Sequence, residues 1–428
     1  MKKQLLYISI LFCSTITFSQ QSPPARLRVF IDCSNTWCDM QYLRSEINVV
    51  DFLYDNTTSD VHLLLTSEGT GSGGSEYLLI FFGEQYFKNQ TDTIRFTTAP
   101  VATEFEIRES ILKYIKAGLV PFITKTAAFR NIEINLKNTD ATPIDGADTL
   151  GVMDPWNDWV MRVNAGGYFN ADANYNTKSY NGNISANKIT DKTKIGFGFS
   201  ASKDKSTFDF DAEDASDSYV VNNHNWAIHH YLIKTISPHW SWSYEAKYIQ
   251  NTFSNIEGRA FLLAAAEYNV FPYTEVNTKL FTLSYGLTAR RNTYYNPTIY
   301  NKTTETLYGH RATAYLSLNQ KWGTSYAGIS YHNYFHDWSL FNLGLDVYTS
   351  VRVAGGLSFY ILAFGGLTRD QVGLVKGNAT PEEVLARRRQ LASGYNYFSS
   401  MGINYRFGSK LNNVVNPRFD RSSTFILD

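Results

Sequence analysis

Two periodicities divide the chain. From about residue 157 to 408, apolar and polar positions alternate with a period of two over segments of ten or more residues, the pattern of strands with one apolar face. Trp159, Met161, Val163, Ala165 and Phe169 share one face of the first segment; Arg162, Asn164, Asn170 and Asp172 share the other. Leu343, Leu345, Val347, Val351 and Val353 oppose Asp346, Ser350 and Arg352 further on. Near the end, Tyr395, Tyr397, Met401, Ile403, Tyr405 and Phe407 oppose Asn396, Ser400, Asn404 and Arg406. The segments are 159–174, 179–189, 194–207, 223–235, 240–252, 258–270, 279–291, 306–319, 325–335, 340–353, 357–368 and 394–408. Pro238, Pro272, Pro297 and Pro381 all fall between them, where a missing N–H breaks no ladder.

Upstream the pattern is mixed. Arg26–Asp32, Val61–Thr66 and Tyr77–Phe82 read as strands. Met40–Tyr54, with Leu43, Ile47, Val50 and Leu53, and Glu104–Leu119, with Ile107, Ile111, Leu112 and Ile115, carry the helix period. The order β-α-β-β-α predicts a small α+β domain over 21–128, joined by a polar linker, 129–156, to the strands of 157–408. The expected fold is therefore mainly β: an antiparallel transmembrane β-barrel of about 12 strands preceded by a small α+β domain. The element order of that domain resembles the N-terminal module of the periplasmic Tol-Pal propeller protein.

Connection lengths orient the barrel. Turns near Asp191, Pro238, 272–277, 321–323 and Gly355 are short, whereas 208–222, 292–305 and 369–393 are long. Short periplasmic turns and long outer loops are the rule, so the N-terminal domain and the tail 409–428 are expected on the periplasmic side. Within the last loop, Thr380, Pro381 and Glu383 form a helix start, a candidate cap or partial plug.

Composition agrees with this picture. Aromatics make up 15% of the chain, with 29 Tyr and 28 Phe, and charged residues 18%, as suits strands with aromatic girdles. The opening Met1-Lys2-Lys3, the short apolar run Leu5–Phe12 and the small residues before Ser19 predict a signal peptide over 1–19. Cleavage leaves Cys33 and Cys38, and an oxidising compartment favours a disulfide between them. The formal net charge is zero and no nucleic-acid signature is present.

Candidate chemistry is sparse. Gly69-Thr70-Gly71-Ser72-Gly73-Gly74 matches G-x-G-x-x-G, but a strand and not a helix follows, so the stretch predicts a hairpin and no nucleotide site. His332 and His336 lie about 13 Å apart on an extended strand, too far to share a metal. His239-Trp240-Ser241 has the spacing of the Ser-His pair of outer-membrane phospholipases, yet sits at an inner turn. We therefore expect no enzyme, no metal and no cofactor. Parity places Arg162, Lys194, Lys247, Arg259, Arg290, Arg311, Arg352 and Arg406 inside the barrel, with Asp172, Asp204, Glu245, Glu267 and Asp346, a basic surplus. The parity of segments 223–235 and 357–368 is ambiguous.

Ser400-x-Gly402-x-x-Tyr405-x-Phe407 resembles the assembly signal of Gram-negative outer-membrane barrels, and the whole layout is similar to outer-membrane barrels of Bacteroidota. The resemblance implies an outer-membrane location, contact with outer-membrane lipid and insertion by the barrel-assembly machinery. It supplies no activity. The expected function is a narrow, porin-like channel for small polar or anionic solutes, with a periplasmic domain that contacts another envelope protein. The alternatives are a closed barrel serving as an anchor or envelope assembly factor and, third, an outer-membrane hydrolase. Replacing Tyr405 and Phe407 together by Ala should lower outer-membrane levels, read by surface labelling, while leaving secretion intact. Unchanged levels would show the motif to be a coincidence.

Overall fold

The computed structural model describes residues 24–33, 36–71, 73–131, 155–172, 175–209, 218–354, 356–377 and 393–408. The expected signal peptide, most of the linker, the helix start at 380–383 and the tail 409–428 lie outside the described residues.

The N-terminal domain comprises β1 (Leu27–Asp32), α1 (Met40–Glu46), β2 (Val50–Phe52), β3 (Val61–Gly69), β4 (Ser75–Gly83), β5 (Thr91–Thr98) and α2 (Glu104–Ile123). Its sheet runs β2-β1-β3-β4-β5, with β1 parallel to β2 and β3 and the later pairs antiparallel. Two elements differ from expectation. The first helix stops at Glu46, and Val50–Phe52 is a strand beside β1: Val50 and Phe52 are buried by strand alternation, which the helical spacing of Val50 and Leu53 had disguised. The polar stretch TDTIRFTT is edge strand β5, whose only buried residue is Phe96, so its sequence carries little apolar signal. Helix α2 begins with a capping box, Thr103 and Glu106 bonding each other's backbone N–H groups, and runs past the expected end to Ile123.

One sheet face and the two helices form the core: Val29, Ile31, Leu63, Leu65, Leu79 and Phe81 pack with Leu43, Ile111, Ile115, Leu119 and Phe122. Gly118 permits the closest approach, since a Cβ there would lie 2.1 Å from the Phe81 ring. A disulfide joins Cys33 and Cys38 between β1 and α1. The opposite sheet face is buried too, at Phe30, Asp32, His62, Leu64, Thr66 and Leu78.

Twelve further strands follow: β6 (Trp159–Ala171), β7 (Tyr175–Ile189), β8 (Thr193–Asp209), β9 (Ser218–Thr235), β10 (Trp240–Asn251), β11 (Ile256–Asn269), β12 (Lys279–Tyr294), β13 (Thr304–Gln320), β14 (Gly323–Tyr334), β15 (Asp337–Ala354), β16 (Leu357–Thr368) and β17 (Tyr395–Tyr405). They form one antiparallel barrel sheet in which each strand pairs with the next in sequence. Among the described residues no ladder joins β6 to β17, and both are exposed along most of their length. Pro238, Pro272 and Pro297 lie between strands, while Pro381 is outside the described residues.

Side-chain parity is consistent from strand to strand. Val163, Ile184, Phe199, Ile228, Leu262, Leu287, Ile329, Leu345 and Ile403 are exposed on the outward face, an apolar surface far larger than water tolerates on a monomer. No helix of the described residues is long and apolar enough to cross a membrane. Register also settles the two ambiguous strands. Pairing of Phe197 with His230 and of Arg352 with Ser358 puts Ile228 and His230 outside, and Tyr360, Leu362 and Phe364 inside. Strand β16 was unreadable because both of its faces are apolar; inward Phe364 stacks on Phe398 of β17.

Truncating Phe81 to Ala should cost about 3–5 kcal/mol, as for other buried aromatics. Limited proteolysis in urea should then cut within 24–131 at lower denaturant, with the β6–β17 sheet as internal control. Equal midpoints would show that Phe81 does not anchor the domain.

Candidate functional site

The interior of the barrel sheet is where charged side chains gather, and every candidate lining residue lies on the inward parity. Glu245 and Lys247, two apart on β10, form an ion pair. Arg259 donates through Nε to Asn292 Oδ1 at 2.8 Å. Glu267 accepts from the Tyr273 hydroxyl at 2.7 Å. Arg290 lies 3.2 Å from His332 Nε2, and its guanidinium stands 5.0 Å from the centre of the Tyr334 ring. Asp346 sits beside Gly328, whose missing Cβ leaves room for the carboxylate. Arg311 pairs in register with Gly286 and His332 and has no carboxylate within ion-pair range among the described residues. Arg162, Arg352 and Arg406 meet the N-terminal domain. The ten residues thus line one face but do not converge on one centre.

Other segments of the chain pack against this inward face near both of its ends. At the end of the long connections, the segment after β16 turns back. Ile299 N–H donates to Leu374 O at 2.8 Å, Lys376 N–H to Pro297 O at 2.9 Å and Asn255 Nδ2 to Gly373 O at 3.2 Å. Val372 packs with buried Leu307 and Tyr334. Asp370 Oδ2 stands 3.6 Å from His332 Nδ1. Burial pushes the Asp370 carboxyl up, but the His332 ring and the Arg290 charge outweigh it and hold the pKa below the ordinary range. The described part of this expected outer loop therefore packs over the interior.

At the opposite end, that of the short turns, sits the N-terminal domain. Lys321, in the β13–β14 turn, places Nζ 2.6 Å from Glu84 Oε1 and 4.2 Å from the centre of the Phe82 ring. Arg352 donates through Nη1 to Asp32 Oδ2 at 2.6 Å and to Lys321 O at 3.1 Å, and lies over the Phe30 ring. Arg406 lies over the Tyr54 ring, 5.1 Å from its centre. The glycine hairpin between β3 and β4 reaches the wall of β6 and β7. A Cβ on Gly73 would fall 1.6 Å from Arg162 Nη2, and one on Gly71 2.6 Å from Ile189 Cβ. Gly73 also takes φ +87°, a conformation that L side chains rarely adopt. The motif G-x-G-x-x-G is thus a contact point, as a hairpin reading implies. His62, 1% exposed, has Nε2 3.6 Å from Asp32 Oδ2, so Asp32 lies between a histidine of its own domain and an arginine of the barrel.

Sequence reasoning missed Asp32, His62, Glu84 and Lys321 as interface residues. A signal was present. VHLLLT and YLLIFF are near-continuous apolar runs, and such runs mark strands buried on both faces, whereas one covered face leaves an alternation. His332, Tyr334 and Asp370 left no comparable signal, because the turned-back segment that buries them has no periodicity. Ser400 and Gly402 face inward; Tyr360 lies against Gly402, where a Cβ would be 2.6 Å from its hydroxyl. Tyr405 and Phe407 are outward and exposed. His239 Nδ1 is 2.7 Å from Asn269 O, while Ser241 Oγ is 3.4 Å from the Tyr273 hydroxyl, so the two are held by different partners. Among the described residues no three His, Cys, Asp or Glu side chains are grouped to hold a metal ion.

No protein-family model and no curated protein matches the chain. Among solved structures it is similar to the NanC porin, at 11% identity over 57% of this chain and 99% of that one, with a TM-score of 0.26. It is similar to the translocator domain of the autotransporter NalP from Neisseria meningitidis, at 11% identity over 58% and 87%, with a TM-score of 0.26. CdiB from Acinetobacter baumannii gives 10% identity over 89% and 74%, with a TM-score of 0.25. Likenesses this distant carry no function across.

Arg352→Gln should loosen the seat of the domain, because it leaves Asp32, 2% exposed, without its guanidinium; breaking such pairs at interfaces costs about 2–5 kcal/mol. Hydrogen exchange should rise in β1 and in the β3–β4 hairpin but not in α2. Unchanged protection at Asp32 and its neighbours would remove the ion pair from the account.

Proposed function

We propose that this protein is an outer-membrane β-barrel forming a narrow conduit for small polar or anionic solutes, held shut at its periplasmic mouth by its own N-terminal domain. One observation carries the reading: the domain presents a second buried sheet face, and Asp32 and Glu84 beside it pair with Arg352 and Lys321 of the short-turn end. The outward apolar surface supports a lipid setting. The short turns lie at the end that bears the domain, which supports a periplasmic placement of the domain and of the end of β17.

Interior charge supports the solute class. Glu245 cancels Lys247 and Asp32 holds Arg352; of the other inward candidates without an ion-pair partner among the described residues, the cations Arg162, Arg259, Arg311 and Arg406 outnumber the carboxylates Glu267 and Asp346. Fixed positive charge in a low-dielectric passage concentrates anions. His239 and Ser241, each engaged elsewhere, favour a non-enzymatic role. Outer-membrane lipid and the barrel-assembly machinery are the partners this reading requires, and the domain's helical side remains available to a further envelope protein.

A second reading, a closed barrel used as an anchor, draws on the outer end, where Val372, Leu374 and Asp370 pack over the interior. Planar-bilayer recording separates the two. Wild-type protein should conduct rarely and with small steps. Asp32→Ala with Glu84→Ala should open it more often, with a reversal potential that favours anions and moves toward cations in Arg311→Glu. Silence in both proteins would favour the anchor, and cation preference would sink the lumen assignment.

A further inference from the structure

Between the N-terminal domain and the rim of β15–β17 lies a cavity of 940 Å³, a size that holds a small organic molecule. Three barrel cations line it, Lys321, Arg352 and Arg406, against two carboxylates of the domain, Asp32 and Asp55. The cations are committed to different degrees. Lys321 is spent on Glu84. Arg352 uses Nη1 for Asp32 and for Lys321 O, and its Nε and Nη2 donors have no partner among the described residues. Arg406 has only the Tyr54 ring, and Arg44 stands over the same ring at 5.7 Å, so two guanidinium groups crowd one aromatic. Phe30 and Tyr54 on one wall, with Tyr348 and Tyr360 on the other, give the cavity flat apolar surfaces edged with hydroxyls.

A planar or tetrahedral oxyanion is the chemistry that free guanidinium donors recognise, through paired charge-assisted hydrogen bonds. Such an anion meets a competitor at Arg352, the Asp32 carboxylate. Asp32 can release the arginine without being left alone in a buried site, because His62 Nε2 stands 3.6 Å from the same oxygen on the domain's own side. Resting on the conduit reading, we propose that this cavity binds a small organic oxyanion, a carboxylate or phosphate on a ring or other apolar body, with Arg352 and Arg406 as its cationic partners. Binding displaces Asp32 from Arg352 and loosens the domain's seat at the mouth. The solute is then recognised at the contact that keeps the passage shut.

The test is calorimetric titration of the full-length protein, folded in detergent and checked by heat-modifiable migration, at low salt. The probes are phenyl phosphate, benzoate and, as an anion without a body, inorganic phosphate. Saturable one-to-one binding of phenyl phosphate or benzoate, tighter than that of inorganic phosphate, is expected, and the tighter of the two identifies the anion. Arg406→Gln should weaken it about tenfold or more. Asp32→Asn should tighten it several-fold by removing the competitor. Asp55→Asn, which removes the same charge from the same cavity without touching Arg352, should leave it nearly unchanged. Absence of saturable binding, or equal shifts in Asp32→Asn and Asp55→Asn, overturns the proposal. Because binding is read in detergent, it is separable from conductance: a barrel that conducts but binds neither probe refutes this site, while one that binds and never conducts keeps the site and refutes the conduit.

Discussion

Everything in the larger part of this chain depends on one constraint, the two-residue repeat of an extended backbone. A strand in a membrane barrel has lipid on one side and the interior on the other, and its side chains must choose between them in strict alternation. Once the register of one strand is fixed, ladder pairing transmits the choice to its neighbour. That is why Arg162 and Arg406, at opposite ends of the sheet, both point toward the N-terminal domain. It is also why Glu245 and Lys247, two residues apart, find each other. A slip of one residue anywhere would turn arginines toward lipid, at about 2–4 kcal/mol each near the midplane.

The same repeat explains what could be read in advance. Most strand boundaries and the inward set followed from alternation and from the prolines, because barrel strands are long and one-sided. Legibility ended where a second environment covered the expected solvent face. Strand β16 has Leu362 and Phe364 inside and apolar residues outside, so it has no readable parity. Strands β3 and β4 lose alternation for the opposite reason, being buried on both faces within a small domain. The edge strand β5 was missed because only Phe96 of its eight residues is buried. The packing at the end of the long connections was invisible because it depends on where a connection lies, and Asp370 reaches His332 through tertiary placement alone.

Charge is handled differently at the two closures. Near the long connections, Asp370, His332, Arg290 and Tyr334 sit close together under a packed segment, with Val372 and Leu307 excluding water. That arrangement resembles a protein interior and favours permanence. At the other mouth the pairs bridge two separately folded parts, and Arg352 is still a quarter exposed while Asp32 is not. The exposed, cationic side of such a pair sets how fast the two parts find each other, and the buried carboxylate sets how readily they come apart. On the proposed reading, the contact that yields is thus the one nearest water.

The two-sided burial of the β1–β3–β4 sheet also orders events during biogenesis. The domain's own core, Phe81 against α2, is complete without the barrel, so it can fold as soon as residues 24–131 have emerged. Its other face cannot be finished then. Phe30 and Phe82 gain their cationic neighbours only when Arg352 and Lys321 exist, about 190 residues or more after the domain's last helix in sequence. In the interval this face is an exposed apolar patch, and a partly folded chain that carries one is prone to association until the twelve strands have assembled.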